Sequence, residues 1–331
     1  MNKIFITGGS GFTGYHFHQK VSEERIINYD IQEPFFEYDS EFIKGDIRDT
    51  ERLAKHLKKG NKIIHLAATH FDFQTNYFET NVEGTRSLLQ AARKADINKI
   101  IFFSTVAVYG SVSEPTSERS KVNPDSPYGK SKLEAERLVI DWAKEEPTRS
   151  AIILRPTVVY GPYNFGNVFN LIKQIDSGLF INIGDGENVK SIVFVKNLVD
   201  YTLQLMEKMG PGISIHNATD IPHLSTKELT KIIANELDKK ISFTLPLPIA
   251  KFLVLPFDVL NTITGKDWII SRERIEKFCA DTHFLSKNLR KNEIFQRFNT
   301  EEGIKKTIKW YHSVDTRKLY NEWLSRVERY S

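Results

Sequence analysis

The stretch that decides the fold is Thr7-Gly8-Gly9-Ser10-Gly11-Phe12-Thr13-Gly14, which has glycines at positions 8, 11 and 14. It follows a short β-branched apolar run at 3–6 and opens a helical pattern over 13–23. A glycine-rich turn in that place lets backbone N–H groups approach a pyrophosphate, and the helix N-terminus adds favourable positive charge. The turn therefore predicts a nucleotide-binding strand–turn–helix unit.

The second apolar run, at 25–29, ends at Asp30. A carboxylate at the end of this strand can accept hydrogen bonds from both hydroxyls of an adenosine ribose, and it repels a 2′-phosphate. We therefore expect NAD rather than NADP as the cofactor.

The rest of the chain repeats this alternation of strand and helix. Further strand runs lie at 62–66, 99–103, 152–155, 192–195 and 213–217, and helical patterns lie at 50–58, 82–95, 131–145, 167–177 and 196–206. Continuous apolar strands alternating with helices are typical of a parallel sheet covered on both faces. We predict an α/β fold, a Rossmann-type doubly wound parallel sheet with a smaller, mostly helical C-terminal substrate lobe. The NAD-binding domain would comprise 1–160 with returns from about 188–222, and the lobe 161–187 and 223–331.

Composition excludes several classes of protein. The chain has 331 residues, a formal net charge of +4 and a single cysteine, Cys279. One cysteine excludes an internal disulfide framework and a CxxC metal site, so no metal is expected. The weak, dispersed charge argues against nucleic acid but suits an anionic small substrate. The longest apolar stretch, 245–260, is shorter than the roughly 20 residues of a spanning helix and contains prolines. We therefore expect a lobe helix or a lid near a pocket and no stable membrane insertion, with weak membrane contact as the less favoured alternative. The N-terminus runs directly into a strand pattern without a signal peptide, and a cytoplasmic location is expected.

Three side chains are candidates for the chemistry: Thr105, Tyr128 and Lys132. Tyr128 and Lys132 are four residues apart in a helical pattern, so they share one helix face. A nearby ammonium stabilises a phenolate and brings tyrosine within reach of base chemistry at neutral pH. The hydroxyl of Thr105, which follows the fourth strand, would hydrogen-bond the reacting substrate oxygen.

The GxxGxxG spacing and the order of these motifs resemble the extended short-chain dehydrogenase/reductase family, in its nucleotide-sugar epimerase/dehydratase branch that contains the UDP-glucose 4-epimerases. The resemblance implies that Thr105, Tyr128 and Lys132 are catalytic, and that Lys132 also holds the nicotinamide ribose. It further implies cofactor contacts from a set of residues spread along the chain: Gly8, Gly11, Phe12, Thr13, Gly14, Asp30, Asp46, Ile47, Leu66, Ala67, Ala68, Asn81, Tyr128, Lys132 and Pro156. A homodimer through helices such as 82–95 and 131–145 is also implied.

The same resemblance assigns substrate contacts to Thr105, Tyr128, Asn167, Lys190 and Arg272, with Arg274 as an alternative to Arg272. Asn167 would face the diphosphate or the base. Lys190 stands where arginine is usual, and a lysine lacks the bidentate fork for a diphosphate.

Two positions depart from patterns common in the family. Val158 replaces an asparagine that is common in sugar-nucleotide epimerases, which puts the diphosphate contacts of that loop in doubt. Val106 and Ala107 occupy the positions of the acid/base pair of the 4,6-dehydratases, so dehydration is disfavoured.

Two functions from different reaction classes remain. The first is a nucleotide-diphosphate-sugar epimerase, in which Tyr128 is the general base, C4 is oxidised, the 4-keto sugar rotates and the hydride returns. The second is an NAD-dependent dehydrogenase or reductase of a 4-keto nucleotide sugar or of a 3β-hydroxysteroid-type substrate. The apolar stretch 245–260 and Val158 favour the steroid version modestly. A catalytically silent NAD-binding protein is disfavoured because all three candidate side chains are present.

Overall fold

The apolar runs form a central sheet. A computed structural model describes residues 3–22, 25–69, 77–241, 243–255 and 272–329. The strands are β1 Ile4–Thr7, β2 Ile26–Asp30, β3 Glu41–Lys44, β4 Lys62–His65, β5 Lys99–Phe103, β6 Ser150–Pro156, β7 Val158–Tyr160, β8 Asn182–Ile183, β9 Val189–Lys190, β10 Ile192–Phe194, β11 Gly212–Ala218, β12 Leu224–Ser225 and β13 Thr244–Leu245. Seven of them form a parallel sheet in the order β11-β6-β5-β4-β1-β2-β3.

The helices occupy the connections between strands and most of the C-terminal third. They are α1 Phe12–His18, α2 Thr50–His56, α3 Gly84–Lys94, α4 Pro127–Lys144, α5 Asn167–Asp176, α6 Val195–Glu207, α7 Thr226–Glu236, α8 Leu247–Leu253, α9 Arg272–Cys279, α10 Lys287–Lys291, α11 Thr300–Ser313 and α12 Thr316–Arg329. A π-helical turn, Glu79–Glu83, precedes α3, and a 3-10 turn, Val106–Tyr109, follows β5.

Both faces of the sheet are buried, because alternate residues of each strand point to opposite sides. Phe5 belongs to an apolar cluster with residues of α2, α3 and α4. Its neighbours Ile4 and Ile6 belong to a second cluster that includes Phe17 of α1 and residues of α6. The doubly wound parallel sheet predicted from the sequence is therefore confirmed.

Two glycines of the first turn are required by close packing. Gly8 has a φ of 72°, and a Cβ there would lie 2.6 Å from the backbone nitrogen of Ala67. A Cβ on Gly14 would lie 2.2 Å from the carbonyl oxygen of Gly9. Any side chain at either position would push α1 or the loop after β4 away from the sheet.

The C-terminal part of the chain has its own apolar core, built around Tyr160, Ile172, Phe194, Ile233 and Ile304. Among the described residues, three small two-stranded ribbons, β7–β10, β9–β12 and β8–β13, lie outside the seven-stranded sheet. The residue boundaries of the domain and the lobe stay a prediction.

The structure differs from the sequence expectations at several elements, of which β3 and α4 are two. The sequence does not predict β3, because this edge strand is only four residues long and has a single buried residue, Ile43. Helix α4 begins at Pro127 rather than 131, because Ser126 caps it by accepting a hydrogen bond from the backbone of Gly129. In the described part of the chain, every helix is too short or too polar to cross a membrane.

Candidate active site

The three predicted catalytic side chains meet at the carboxyl end of β5. Thr105 caps the 3-10 turn, and its hydroxyl accepts from the backbone N–H of Ala107 at 3.1 Å. The same side chain hydrogen-bonds Tyr128, on the first turn of α4. Lys132 follows one turn later, with its Nζ 4.3 Å from the ring centroid of Phe102. The structure thus joins the hydroxyl and the phenol that the sequence singled out, and it places the amine one helical turn after the phenol.

Burial dominates the electrostatics of this cluster. It raises the pKa of Tyr128 to about 12, and the hydrogen bond from Thr105 opposes that rise. Burial also lowers the pKa of Lys132 to about 7, and the negative charge of Glu136 opposes that fall. Lys132 is therefore poised to change its charge near neutral pH.

Glu136 is part of a buried network that the sequence analysis did not identify. Its carboxylate accepts from the guanidinium of Arg155 at 2.8 Å through Nε and at 2.6 Å through Nη2, and it also accepts from the hydroxyl of Ser104. Arg155 further donates to the hydroxyl of Tyr109 at 2.9 Å, which in turn donates to Asn217 at 2.7 Å. This network joins α4 to the residue after β5, to the 3-10 turn and to β6 and β11, and Glu136 lies one helical turn after Lys132.

The glycine turn and Asp30 lie together at the carboxyl ends of β1 and β2. Asp30 accepts from the backbone N–H groups of Ser10 at 2.9 Å and of Gln32 at 3.0 Å. Burial raises the pKa of its carboxyl, and those hydrogen bonds oppose the rise. A Cβ on Gly11 would meet only a backbone oxygen at 3.4 Å, so packing within the protein does not demand glycine there. The open surface at Gly11 and the carboxylate at Asp30 fit the pyrophosphate and ribose of NAD.

The other predicted cofactor residues lie along the same edge of the sheet. Phe12 and Thr13 open α1, and Leu66, Ala67 and Ala68 follow β4. Pro156 ends β6 and is buried. This is the crevice where chain connections leave the sheet in opposite directions, since β1 lies between β2 and β4, which is where ligands bind in open α/β sheets.

Asp46 and Ile47 follow β3 on this side of the sheet. Arg48 forms an ion pair with Asp46 at 2.7 Å and holds the pKa of that carboxyl below its usual range. Ile47 is buried against Gly84, where a Cβ would lie 2.6 Å from its Cγ2.

Asn81 holds two parts of the site together. Its amide accepts from the backbone N–H of Thr69 at 2.8 Å and donates to the Thr69 carbonyl at 3.0 Å. It also donates to the hydroxyl of Ser131 at 2.9 Å, and that hydroxyl donates to the carbonyl of Tyr128 at 2.8 Å. The loop after β4 is thereby tied to the first turn of α4.

The predicted substrate residues lie on the lobe side. Asn167 is exposed at the first turn of α5. Lys190, on β9, donates from Nζ to the carbonyl of Ala280 at 2.6 Å, and burial lowers its pKa. Val158 is exposed at the start of β7. Arg272 begins α9, and its side chain and that of Arg274 lie outside the described residues.

Comparisons with known proteins agree with this geometry. Residues 4–216 match the family model of the NAD dependent epimerase/dehydratase family. The chain is 35% identical over 323 residues to the N-acetyl-alpha-D-glucosaminyl-diphospho-ditrans,octacis-undecaprenol 4-epimerase of Escherichia coli O157:H7, covering 96% of this chain and 97% of the relative.

Two solved structures have the same fold. The UDP-glucose 4-epimerase of Thermotoga maritima with UDP-glucose superposes with a TM-score of 0.75 at 23% identity, covering 95% of this chain and 99% of that one. MoeE5 in complex with UDP-glucuronic acid and NAD superposes with a TM-score of 0.75 at 22% identity, covering 94% and 99%. With the family model spanning the glycine turn, Tyr128 and Lys132, this chain belongs to the NAD dependent epimerase/dehydratase family.

Proposed function

We propose that this chain is an NAD-dependent 4-epimerase of a hexose carried on a diphosphate. The observation that carries the proposal is the set of Thr105, Tyr128 and Lys132 at the same edge of the sheet as the glycine turn. It occurs in a chain that is 35% identical over nearly its whole length to a 4-epimerase.

Each side chain has a distinct role in the proposed reaction. Tyr128 would take the proton from the C4 hydroxyl and return it at the end of the cycle. Thr105, already hydrogen-bonded to Tyr128, would hold the same substrate oxygen in line. Lys132, in its ammonium form, would stabilise the phenolate of Tyr128 and donate to the nicotinamide ribose.

The cofactor contacts follow from the same placement. Asp30 would accept from the adenosine ribose, and the backbone at Gly11, Phe12 and Thr13 would hold the pyrophosphate. NAD held there would supply the hydride acceptor for the sugar carbon and then the hydride donor to the opposite face of that carbon.

The sugar would be held by its diphosphate. Lys190 and Asn167 on the lobe side are the proposed contacts, with Arg272 as a third. A nucleotide as the carrier is supported by the fold shared with the UDP-glucose complex of the Thermotoga maritima enzyme.

A polyprenol is a second candidate for the carrier. It is supported by the polyprenol-linked sugar in the name of the Escherichia coli relative and by exposed apolar side chains on the lobe, such as Phe252 and Leu179. Both carriers share the sugar diphosphate, so the proposed chemistry at C4 is the same.

The test is to incubate purified protein with no added cofactor and to follow C4 epimers by chromatography. Substrates would be UDP-, GDP- and dTDP-hexoses, UDP-N-acetylglucosamine, and N-acetylglucosaminyl-diphospho-undecaprenol in detergent. We expect epimers from at least one of them, and none from Tyr128→Phe. A requirement for stoichiometric NAD(H) would replace this proposal with the dehydrogenase or reductase alternative.

We infer in addition that the protein is cytoplasmic and forms a homodimer through α3 and α4. Light scattering after size exclusion would measure the mass, and a monomer at micromolar concentration would contradict the dimer.

A further inference from the structure

The C-terminal lobe carries a group of large apolar side chains that are exposed. Their exposed fractions lie between 46% and 78%. We call the group the lobe patch, and its members are Leu179, Ile181, Phe243, Ile249, Phe252 and Leu253. Where large exposed apolar side chains adjoin on a surface, they mark an interaction site.

The members come from three segments that adjoin in space. The ribbon of β8 and β13 pairs Asn182 with Thr244, and the N–H of Asn182 donates to the carbonyl of Phe243 at 3.2 Å. Ile181 and Phe243 therefore lie side by side at the start of the ribbon. Leu179 precedes this point by two residues, and α8 begins two residues after β13 ends.

Helix α8 has two apolar faces. Ala250 and Val254 are buried in a small core with Ile275 of α9. Ile249, Phe252 and Leu253, at spacings of i, i+3 and i+4, form a second face that is exposed. The small core is enough to hold α8 on the lobe, so packing within the chain does not explain why the second face is apolar.

Lysines flank the lobe patch. A cavity of about 440 Å³ begins at Asn182 on β8 and is lined by Lys227, Lys231, Lys239 and Lys240. Lys227 pairs with Glu187 at 2.9 Å, and Lys239 pairs with Asp176 at 3.7 Å. Within the described ranges, Lys231 and Lys240 form no ion pair. Positive charge beside an apolar surface complements an anionic membrane.

We propose that the lobe patch and its flanking lysines dock the protein on an anionic phospholipid bilayer, with the apolar side chains entering the headgroup layer. The inference rests on the proposed function in one respect: docking would present the sugar-diphosphate site to a polyprenyl-linked substrate. Few contacts separate Lys190, the proposed diphosphate contact, from the ribbon that carries part of the lobe patch. Lys190 contacts Ala280, the neighbouring Cys279 thiol lies 3.6 Å from the carbonyl oxygen of Ile183, and Ile183 pairs with Leu245.

The experiment is sedimentation of the full-length protein with vesicles of phosphatidylethanolamine and phosphatidylglycerol, compared with vesicles of phosphatidylcholine. We expect binding to the anionic vesicles that weakens with salt. Phe252→Ser combined with Leu253→Ser should lower the partition coefficient at least about tenfold. Lys231→Glu combined with Lys240→Glu should also lower it at least about tenfold at low salt.

The matched control is Phe295→Ser. Phe295 is 73% exposed, against 70% for Phe252, so the two side chains are similarly open to solvent. Phe295 lies outside the lobe patch, because its backbone N–H and carbonyl bond the side chain of Gln204 on α6. This variant should bind vesicles as the wild type does, and all variants should keep the wild-type unfolding temperature because they change surface side chains.

Three results would overturn the docking: wild-type protein that stays in solution with both kinds of vesicle, patch variants that sediment as the wild type does, or a dimer that the Phe252→Ser, Leu253→Ser variant dissociates. The last result would make the patch an interface between two copies. Epimerisation of a sugar nucleotide without vesicle binding counts against docking alone. Vesicle binding without epimerisation of any substrate counts against the proposed function alone.

Discussion

The buried pair of Glu136 and Arg155 can be tested with Glu136→Gln, which removes the negative charge and keeps the shape of the side chain. The two side chains are 1% and 5% exposed, so the guanidinium left behind cannot recover its hydration. Breaking a buried ion pair from one side costs about 3–5 kcal/mol. The glutamine oxygen can still accept from Arg155 or Ser104, so we expect the lower end, about 3 kcal/mol of unfolding free energy.

The same change should alter the pH dependence of activity. Glu136 raises the pKa of Lys132, which burial otherwise lowers. Without that carboxylate the pKa of Lys132 falls below about 7, so the ammonium loses its proton at a lower pH as the pH is raised. The ammonium is the form that stabilises the phenolate of Tyr128. As the pH is raised, kcat of the variant should therefore begin to fall at a lower pH than kcat of the wild type.

The assay is urea unfolding at neutral pH together with kcat measured across the pH range. Glu134→Gln is the matched control on the same helix, since Glu134 pairs with Arg137 at 3.0 Å on the surface. Exposed pairs of this kind contribute about 0–1 kcal/mol. The reasoning fails if Glu136→Gln loses no more stability than Glu134→Gln and leaves the kcat profile unchanged.

Four further changes test the site. Tyr128→Phe should lower kcat at least about a thousandfold because the proton acceptor is gone. The absorbance spectrum of the purified variant should still show bound NAD, and normal turnover would refute the role of Tyr128. Asp30→Ala should shift the binding ratio of cofactor-stripped protein toward NADP at least about tenfold by calorimetry, and an unchanged ratio would contradict the ribose contact. Lys190→Ala should raise KM about tenfold with little change in kcat, whereas an unchanged KM would remove Lys190 from the diphosphate site. Lys132→Met should abolish activity and yet stabilise the fold at neutral pH by on the order of 2 kcal/mol. The pKa of Lys132 is about 7 in the folded chain against an ordinary 10.5, so the unfolded chain binds more protons between these values. Wild-type stability should therefore rise with pH across that window, and the variant should lack the rise; a variant less stable than the wild type would contradict this.

The sheet was predictable from the sequence because its strands are buried on both faces. The runs at 62–66 and 99–103 are mostly apolar and do not alternate with polar residues, and the structure has strands at Lys62–His65 and Lys99–Phe103. β3 is different, because it lies at the sheet edge and only Ile43 is fully buried. A four-residue strand with one buried side chain has no distinctive pattern, and only its partner strand reveals it.

The candidate site was predictable where chemistry is local. Tyr128 and Lys132 share a helix face, and that spacing is visible in the sequence. The buried Glu136–Arg155 pair joins two elements, and nothing in the spacing of its members connects them. Glu136 on the buried side of α4, one turn after Lys132, was the signal that could have suggested an ionic partner.

The π-helical turn that holds Asn81 has a consequence for how this chain tolerates changes of length. A π-helical turn holds one residue more than an α-helical turn, so deleting one residue from Glu79–Glu83 would let the segment continue as regular α-helix. Helix α3 would stay on the core, but the residues before the deletion would rotate by about 100°. Asn81 would then leave both Thr69 and Ser131. A scan of single-residue deletions should therefore find this turn intolerant, although Phe78 beside it is half exposed.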